Sequence, residues 1–531
     1  MDDLQEQTQD LIEGYSAGRI ERHEFLKWAA ILGLSAPLLR VPAAYAETRP
    51  ASHPIKRGGT LRLGTTVPTT IEPPLLNDSA GIAVVQVACE YLVKVDKNLI
   101  ARPWLATSWT PSEGGKTWTF KLRRGVKFHN GKTMTADDVV ATFKRLVDPK
   151  GASTAQSSFK GLSPAGVRKV DNYTVAFHLQ SAIVDFPLFT SVYQAVILPA
   201  EYNGHFAKQP VGTGAFILKE YVPQQRARYV KNPNYWAQGL PYLDGVEVLL
   251  GLSPESQVTE LAGNNIDVSV LTQANTVPAL QGNPDIKVLK ANTSGHFGIY
   301  PHCDKGVFAD KRVRQAMALC MNRKGVIASV AQGVGIIGND HVISPAYPYY
   351  NAIPQRPQDI AKAKKLLAAA GHPNGLSASI TTASDYPDLP NVAIAAQAQM
   401  KAAGINLAIK NEPSSKYFNT TDWLDLPLTI TNWAHRPTAS QFFDTAYHTG
   451  AVWNASKWSN KQFDSLSARF DATLDLQQRK LLAKQIEVLM NEEVPVILPY
   501  FSQAPRAMRS NVQGVEADPA TYIDLRQASL S

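Results

Sequence analysis

Hydrophobic and polar residues alternate along several short stretches of the chain, and the clearest of these is followed by a turn and a helix. Residues 117–122 (TWTFKL) place apolar side chains at every second position, which predicts a half-buried strand. Asn130-Gly131 predicts a tight turn, because both residue types tolerate a positive φ. Thr135, with Asp138 three residues later, has the spacing of a capping box. The pattern therefore predicts a strand, a hairpin and a capped helix.

The same stretch resembles a phosphate-binding loop but has the wrong spacing. Such a loop needs four residues between its two glycines, followed by Lys and then Ser or Thr. Here Gly125 and Gly131 flank five residues before Lys132 and Thr133. One extra residue changes the register of the backbone N–H groups. Because strand, turn and cap account for the whole stretch, we favour a structural role over phosphate binding.

From about residue 293 onward, alternating strands are interspersed with amphipathic helices. Asp310, Asp359 and Asn391 each precede a helical pattern, and we expect each to be an N-cap. Helix, glycine and strand follow one another as they do in α/β layers. At 531 residues the chain is too long for a single core. Since no flexible linker separates its parts, the chain is expected to cross between them more than once.

Residues 1–46 are expected to be an export signal. A polar start leads into a modest apolar run, and Ala44-Tyr45-Ala46 fits the small-x-small cleavage pattern. The signal is similar to a twin-arginine signal, except that His23 stands in place of one arginine. No cysteine lies near the cleavage point, so we expect no lipid anchor. The mature protein is then free in the periplasm.

Net charge indicates the kind of partner, and cysteine content bears on whether the chain has a disulfide. Residues 1–46 carry four basic and seven acidic side chains, so their removal raises the net charge from +8 to +11. This charge favours anionic partners. The basic residues are dispersed and no nucleic-acid-binding motif is present, which argues against nucleic acid. Cys303 and Cys320 could form one disulfide, but we favour buried thiols.

The sequence contains no recognisable catalytic or metal-binding motif. It has no nucleophile elbow, no HExxH, no paired CxxC and no GxGxxG. We therefore predict no catalytic residue, no cofactor and no metal site. The segment 431–437 (TNWAHRP) is the best candidate for ligand binding, because it follows an apolar strand and combines an aromatic surface with an arginine fork. Trp453 and Asn454 follow in a second segment of the same kind.

Four segments resemble the family 5 solute-binding proteins, which are the dipeptide, oligopeptide and nickel receptors of ABC importers. They are residues 94–149, 210–236, 307–323 and 458–466. The resemblance covers nearly the whole mature chain. It implies an α/β, two-lobed periplasmic-binding-protein fold of type II, of the large class with an extra subdomain in lobe one. Ligand would be enclosed between the lobes by hinge closure.

The resemblance also implies domain boundaries. Lobe I would comprise residues 47–292, with the extra subdomain at about 95–200, and lobe II residues 293–498. Residues 499–531 would return to lobe I. The crossings are expected near residues 292–300 and 494–499.

The candidate ligand contacts depart from the family's pattern. Members that bind dipeptides hold the peptide ammonium with an Asp shortly after the tryptophan that matches Trp433, but this chain has His435 and Arg436 there. In the same members, an Arg just before the tyrosine that matches Tyr386 holds the peptide carboxylate. The position in this chain nearest to that Arg is Ser384. A cation at Arg436 disfavours a free ammonium.

We therefore expect a ligand with an anionic group at Arg436, stacked on Trp433. An opine-type amino-acid conjugate or a blocked or acidic peptide would fit. Trp453, Asn454 and Thr66, near the end of the first strand, complete the predicted site.

The expected partners are a small-molecule or peptide ligand and an ABC permease with its ATPase, and the protein is expected to be a monomer. Two alternatives stay open at this point. One is a receptor of the same fold for a metal chelate of nickel type, to which His435 would contribute. The other is a hydrolase.

Overall fold

The computed structural model describes residues 56–531, apart from residues 160 and 387. The predicted export signal, with Ala44 and Ala46, lies outside the described residues. The strands are, in chain order, β1 Thr60–Gly64, β2 Val93–Val95, β3 Ala101–Pro103, β4 Ala106–Ser112, β5 Thr117–Leu122, β6 Leu162–Asp171, β7 Thr174–Leu179, β8 Phe216–Val222, β9 Arg226–Lys231, β10 Gly245–Leu249, β11 Val268–Ser269, β12 Ile286–Pro301, β13 Gly335–Ile337, β14 Leu376–Ala383, β15 Ile405–Glu412, β16 Leu428–Trp433, β17 Ile497–Arg509, β18 Val512–Gln513 and β19 Ser529–Leu530.

The α-helices are, in chain order, α1 Ser79–Ala88, α2 Ala136–Val147, α3 Phe186–Phe189, α4 Pro254–Ala262, α5 Val277–Leu280, α6 Lys311–Leu319, α7 Arg323–Ser329, α8 Ile360–Ala369, α9 Asp388–Lys401, α10 Ser414–Asn419, α11 Asp422–Asp425, α12 Ser440–Phe442, α13 Lys461–Ala472 and α14 Leu476–Glu493. A π-helical turn spans Phe443–Tyr447. Within residues 56–531, no helix is long and apolar enough to cross a membrane.

Two long antiparallel strands, β12 and β17, join the two halves of the main sheet. The order of that sheet is β15-β14-β16-β12-β17-β11-β1-β10-β9-β8, and β13 also pairs with β17. Residues 296–301 of β12 pair with β16, whereas Met508, near the far end of β17, pairs with β11. Each half of the sheet therefore extends from opposite ends of one strand pair. The domain boundaries given above stay predictions.

The pairing of β12 with β17 is interrupted at one place. Asn292 pairs with Gln503 and His296 with Phe501, so the residues between them fall out of register. Such bulges bend a strand and redirect its side chains. Ser294 and Gly295 lie in this interruption, opposite the end of β16, and they become important for the candidate site.

Both halves contain parallel strands. β1 pairs in parallel with β10 and β11, and β14 pairs in parallel with β15 and β16. Parallel neighbours need crossover connections, which the helices between them supply. The carboxyl ends of β14 and β16 consequently lie at one edge of the sheet, and the loops that follow them carry Ser384, Tyr386 and the 434–439 segment.

A separate antiparallel sheet, with strand order β4-β5-β7-β6, packs against α2 and has its own core of buried residues around Phe120, Phe143 and Phe177. The strand predicted at residues 117–122, the hairpin turn at Asn130-Gly131 and the helix capped by Thr135 all lie in this region and are confirmed. Thr135 donates its backbone N–H to Asp138 at 2.8 Å in a capping box. Gly131, with φ of 88°, forms the turn.

In the region that resembles a phosphate-binding loop, the lysine already forms ion pairs with neighbouring carboxylates. Lys127 and Thr133 form a bridge across the hairpin. The Nζ atom of Lys132 lies 2.8 Å from Asp138 and 2.6 Å from Glu201. The lysine that would contact a phosphate therefore fixes the helix cap, as the structural interpretation expected.

Two of the three N-caps predicted in the second half are confirmed and one is wrong. Asp310 accepts the N–H of Arg312, and Asp359 accepts the N–H of Lys362, each at 2.8 Å. Asn391 is not a cap, because helix α9 already begins at Asp388. Pro390 misled the prediction, since proline is tolerated in the first turn of a helix, where its missing N–H is not needed.

The three cysteines are free thiols. Cys89 and Cys320 are buried, and Cys303 is half-buried. Burial raises the pKa of Cys320 to about 12, which keeps that thiol protonated. The thiols are therefore inert groups packed into the fold.

Candidate functional site

The loop that follows β16 is held in place by a serine from the interrupted strand β12. The Oγ atom of Ser294 accepts the backbone N–H of Arg436 at 2.8 Å and lies 2.8 Å from the carbonyl oxygen of the same residue. Gly295 permits this close approach, because a Cβ there would lie 3.1 Å from the carbonyl oxygen of Trp433. The backbone at Arg436 is therefore anchored on both sides.

Further contacts fix the rest of this loop. The hydroxyl of Tyr347 donates to the carbonyl oxygen of Arg436 at 2.9 Å, and the hydroxyl of Tyr349 accepts the N–H of Ala439 at 2.8 Å. Thr438 donates its hydroxyl to Asp185 at 2.5 Å. A loop with this many anchors presents its side chains in one orientation before any ligand arrives, which lowers the entropic cost of binding.

The guanidinium group of Arg436 has no counter-charge among the described residues. It makes no hydrogen bond and no ion pair with any residue of the described chain. Burial lowers its pKa, and the nearby hydroxyls of Tyr347 and Tyr193 act in the opposite direction. A half-buried cation without a partner is unfavourable by itself and favours an anion beside it.

His435 lies next to this cation and is neutral. Its Nδ1 atom accepts the backbone N–H of Ser294 at 3.2 Å and lies 2.9 Å from the Oγ of the same residue. Burial, together with the charge of Arg436, lowers the pKa of His435 to about 3. The positive charge of the site therefore comes from Arg436 alone.

The aromatic surface of the site differs from the one expected. Trp433 is 7% exposed and packs edge-on against Phe442 at 5.7 Å, within a large hydrophobic cluster. Trp453 is 42% exposed, and its ring lies 5.8 Å from that of Trp433. The ring available for stacking here is therefore that of Trp453, with Trp433 supporting it from below.

The remaining predicted residues lie in three different places. Asn454 is buried, and its amide bonds within its own loop, donating to the carbonyl oxygen of Trp458 at 2.8 Å. Ser384 and Tyr386 are exposed in the loop after β14, where the Tyr386 ring packs against Phe418. Thr66 is half-buried just after β1. No contact in the described chain joins these four residues to Arg436.

A second arginine near the loop has a carboxylate as its counter-charge. Arg479, on α14, makes two hydrogen bonds to the carboxylate of Asp185, at 2.6 and 2.8 Å, and both side chains are nearly buried. Asp185 directly precedes Phe186, which packs in the core of the four-stranded sheet, whereas α14 packs in the cluster that contains Trp433. This ion pair joins two separate hydrophobic cores.

Four residues of this site were missed by the sequence analysis: Tyr193, Ser294, Tyr347 and Asp185. They lie between 89 and about 250 residues from the loop they contact. Their local sequences carry no motif, so pattern alone gives no signal for them.

One group of described residues could hold a metal ion. Asp444, His448 and Asp471 each bring a ligand atom within 4.8 Å of the others. Burial raises the pKa of Asp471 to about 7, and the charge of Asp444 adds to that effect. None of these three residues belongs to the predicted site.

A cavity of about 350 Å³ also lies away from the predicted site. It is enclosed by α1, β2 and the C-terminal segment, and its lining includes Lys94, Trp104, Tyr522, Asp524 and Arg526. The charged groups in it already pair with one another, as when Lys94 and Arg526 both contact Asp524. We therefore place the candidate site at Arg436.

Residues 101–454 match the family described as bacterial extracellular solute-binding proteins, family 5. The chain belongs to this family. The match includes both the four-stranded sheet and the loop with Arg436.

Curated relatives cover most of the chain. The heme-binding protein A of Haemophilus influenzae is 27% identical over 463 residues, which are 79% of this chain and 82% of that protein. The dipeptide-binding protein of Escherichia coli is 27% identical over 451 residues, covering 78% and 84% respectively.

The fold also matches solved structures. HbpA2 from Haemophilus parasuis superposes with a TM-score of 0.80 at 24% identity, covering 89% of this chain and 99% of that one. The two-lobed α/β fold is therefore confirmed. So is the expectation of a solute-binding component of an ABC importer, since this family consists of binding proteins.

Proposed function

We propose that the protein captures a small peptide-like solute by an anionic group held at Arg436 and delivers it to an ABC permease. The observation that supports this most directly is the bare guanidinium group of Arg436. It is partly desolvated and has no acceptor among the described residues. An anionic group of the ligand would supply the missing counter-charge through charge-assisted hydrogen bonds.

The same charge opposes a free ammonium group. No ion pair links a carboxylate of the described chain to Arg436, and the titratable groups that interact with it electrostatically are the hydroxyls of Tyr347 and Tyr193 and the neutral ring of His435. An ammonium group here would meet a cation in a poorly solvated loop. An opine-type amino-acid conjugate or a blocked or acidic peptide fits better than a plain dipeptide bound by its amino terminus.

Tyr193 suggests how the ligand is enclosed. Its ring packs against the core that contains β1 and β8, whereas Arg436 belongs to the half that contains β16. These two residues are close enough to interact electrostatically. We propose that the ligand's anionic group lies between them and that Trp453 covers its apolar part. The protein acts as a monomer without a lipid anchor in this proposal.

Native mass spectrometry of the purified protein tests the proposal. The retained compound is released by denaturation and identified, and occupancy is compared in Arg436→Met and in Arg469→Met, an exposed arginine on α13. We expect an anionic compound in the wild type and in Arg469→Met, and loss of it in Arg436→Met. A plain dipeptide, or equal occupancy in all three proteins, would refute the assignment.

A further inference from the structure

The hydrogen bond between Ser294 and His435 determines which ring nitrogen carries a proton. The backbone N–H of Ser294 points at Nδ1 of His435, with a nitrogen–nitrogen distance of 3.2 Å. A backbone N–H can only donate, so Nδ1 presents its lone pair to it, and the hydroxyl of Ser294, 2.9 Å away, can donate to the same lone pair. A neutral imidazole has one proton, and here that proton is on Nε2.

The ring does not gain a second proton at ordinary pH. Its surroundings are largely buried, and the charged group that acts on it is the adjacent Arg436. Both effects oppose a second positive charge. The Nε2–H group makes no hydrogen bond to a described residue, so it is a free donor on a ring that the charge of the adjacent Arg436 influences.

We infer that His435 is a fixed neutral Nε2–H donor that acts with Arg436 to select a carboxylate, and that Ser294 is the residue that positions both. A carboxylate has two oxygen atoms that accept hydrogen bonds in several directions, so it can bind the arginine fork and the Nε2–H together. The choice of carboxylate rests on the proposed function, whereas the protonation state of His435 does not.

The same geometry disfavours ligation of a metal ion by His435. A histidine that binds metal through Nε2 normally carries its proton on Nδ1 and donates it to an acceptor. Here Nδ1 faces the N–H of Ser294 at 3.2 Å, so a proton on Nδ1 would oppose that donor and could bond only to the Oγ of Ser294, 2.9 Å away, which is already engaged with the backbone of Arg436. This argues against a nickel-type chelate held by His435, the alternative that the sequence left open.

Nuclear magnetic resonance of the ligand-free mature protein, with ¹⁵N in its histidine rings, tests the protonation state directly. The His435 signal is assigned from its absence in His435→Gln. We expect the neutral Nε2–H tautomer, with a hydrogen-bonded lone pair on Nδ1, at every pH from 5 to 8. An Nδ1–H tautomer, or protonation with a midpoint above pH 6, would overturn the inference.

Addition of Ni²⁺ alone to the same sample tests whether His435 can ligate a metal ion. We expect the His435 signals to stay unchanged at one equivalent of Ni²⁺, while the other histidines act as internal controls. His448 is the most informative of these, because its donor atom lies near two carboxylates. Loss or broadening of the His435 signals at one equivalent would overturn the exclusion.

A pair of probes that differ only at the C-terminus tests the choice of carboxylate. N-acetyl-alanyl-alanine carries a carboxylate, and N-acetyl-alanyl-alaninamide is its neutral match. We expect the first to shift the Nε2–H proton resonance of His435 and the second to leave it in place. If both or neither shift it while the tautomer is as expected, carboxylate selection fails and the assignment of the tautomer stands.

Discussion

Arg479 and Arg436 are two poorly solvated arginines with opposite surroundings. Arg479 forms two short hydrogen bonds with Asp185, and its guanidinium lies 4.2 Å from the centre of the Phe470 ring. Asp185 raises its pKa. Within residues 56–531 as described, Arg436 pairs with no carboxylate and lies over no aromatic ring, and burial lowers its pKa. Of the two cations, Arg479 is the one whose counter-charge lies among the described residues.

This difference distinguishes an arginine that stabilises the fold from one that is available to bind a ligand. A buried charge is tolerated when its partner is already present, and removal of that partner leaves an uncompensated charge. Arg479 meets this condition and joins two hydrophobic cores. Arg436 does not, although its backbone is held as firmly as any in the site. An unpaired cation on a firmly anchored backbone is what a receptor for an anion requires.

The largest effect is expected from breaking the Asp185–Arg479 pair. Asp185→Asn should lower the free energy of unfolding by about 3–5 kcal/mol, because it leaves Arg479 buried without a counter-charge. Urea denaturation measures this. Arg228→Met, at an exposed ion pair with Glu247, is the control and should change stability by less than about 1 kcal/mol. Equal losses in both variants would show that the buried pair contributes no more to stability than the exposed pair.

Glu487 provides an acidic counterpart on the same helix as Arg479. It is fully buried, and desolvation raises its pKa to about 8. The folded state therefore binds this proton more tightly than the unfolded state, and stability falls as the pH rises from the unfolded pKa towards 8. The slope is at most about 1.4 kcal/mol per pH unit.

Glu487→Gln removes this titration and keeps the shape of the side chain. Between pH 5 and pH 7 we expect the wild type to lose about 2–3 kcal/mol relative to the variant. Urea denaturation at the two pH values gives the difference. A constant difference between the two proteins would mean that Glu487 does not titrate in this range.

Ser294→Ala should have a smaller effect, because it removes one uncharged hydroxyl, which bonds to the backbone of Arg436 and contacts Nδ1 of His435. We expect a loss of about 1 kcal/mol in stability, as for one buried hydrogen bond. We also expect several-fold weaker binding of the compound released from the wild type, since Arg436 becomes less fixed. Ser329→Ala, at an exposed helix position, is the matched control. Calorimetry that finds unchanged affinity in Ser294→Ala would contradict a positioning role.

Removal of the bare arginine should cost the least stability. Arg436→Met deletes a partly desolvated cation that has no partner, so the free energy of unfolding should stay within about 0.5 kcal/mol of the wild type or rise. Urea denaturation of Arg436→Met and of Arg479→Met, under the same conditions, measures the loss of stability in each. A loss in Arg436→Met as large as that in Arg479→Met would mean that Arg436 is a structural residue.

Local features were predictable from the sequence because they depend on neighbouring residues. The capping box at Thr135 and the turn at Gly131 are set by residues within a few positions of one another, and both are present in the structure. Asn391 failed as a cap because the helix begins earlier, at Asp388, and includes Pro390 in its first turn. The two-lobed fold followed from the family resemblance, not from these patterns.

The site was only partly predictable because burial is decided by distant segments. The position of Arg436 after an apolar strand indicated a binding loop, but nothing nearby shows that Trp433 is covered by Phe442. Equally, the anchors Ser294 and Asp185 are far away in the sequence. Hydrogen-bond partners of this kind are fixed by tertiary packing.

The central claim is that Arg436 holds the ligand's anionic group. It is tested most directly by calorimetric titration of the compound released from the wild-type protein into ligand-free wild type, Arg436→Met and Arg469→Met. A charge-assisted contact of this kind contributes about 1.5–3 kcal/mol. We predict equal affinity for the wild type and Arg469→Met, and affinity at least tenfold lower for Arg436→Met. Unchanged affinity in Arg436→Met would contradict the account.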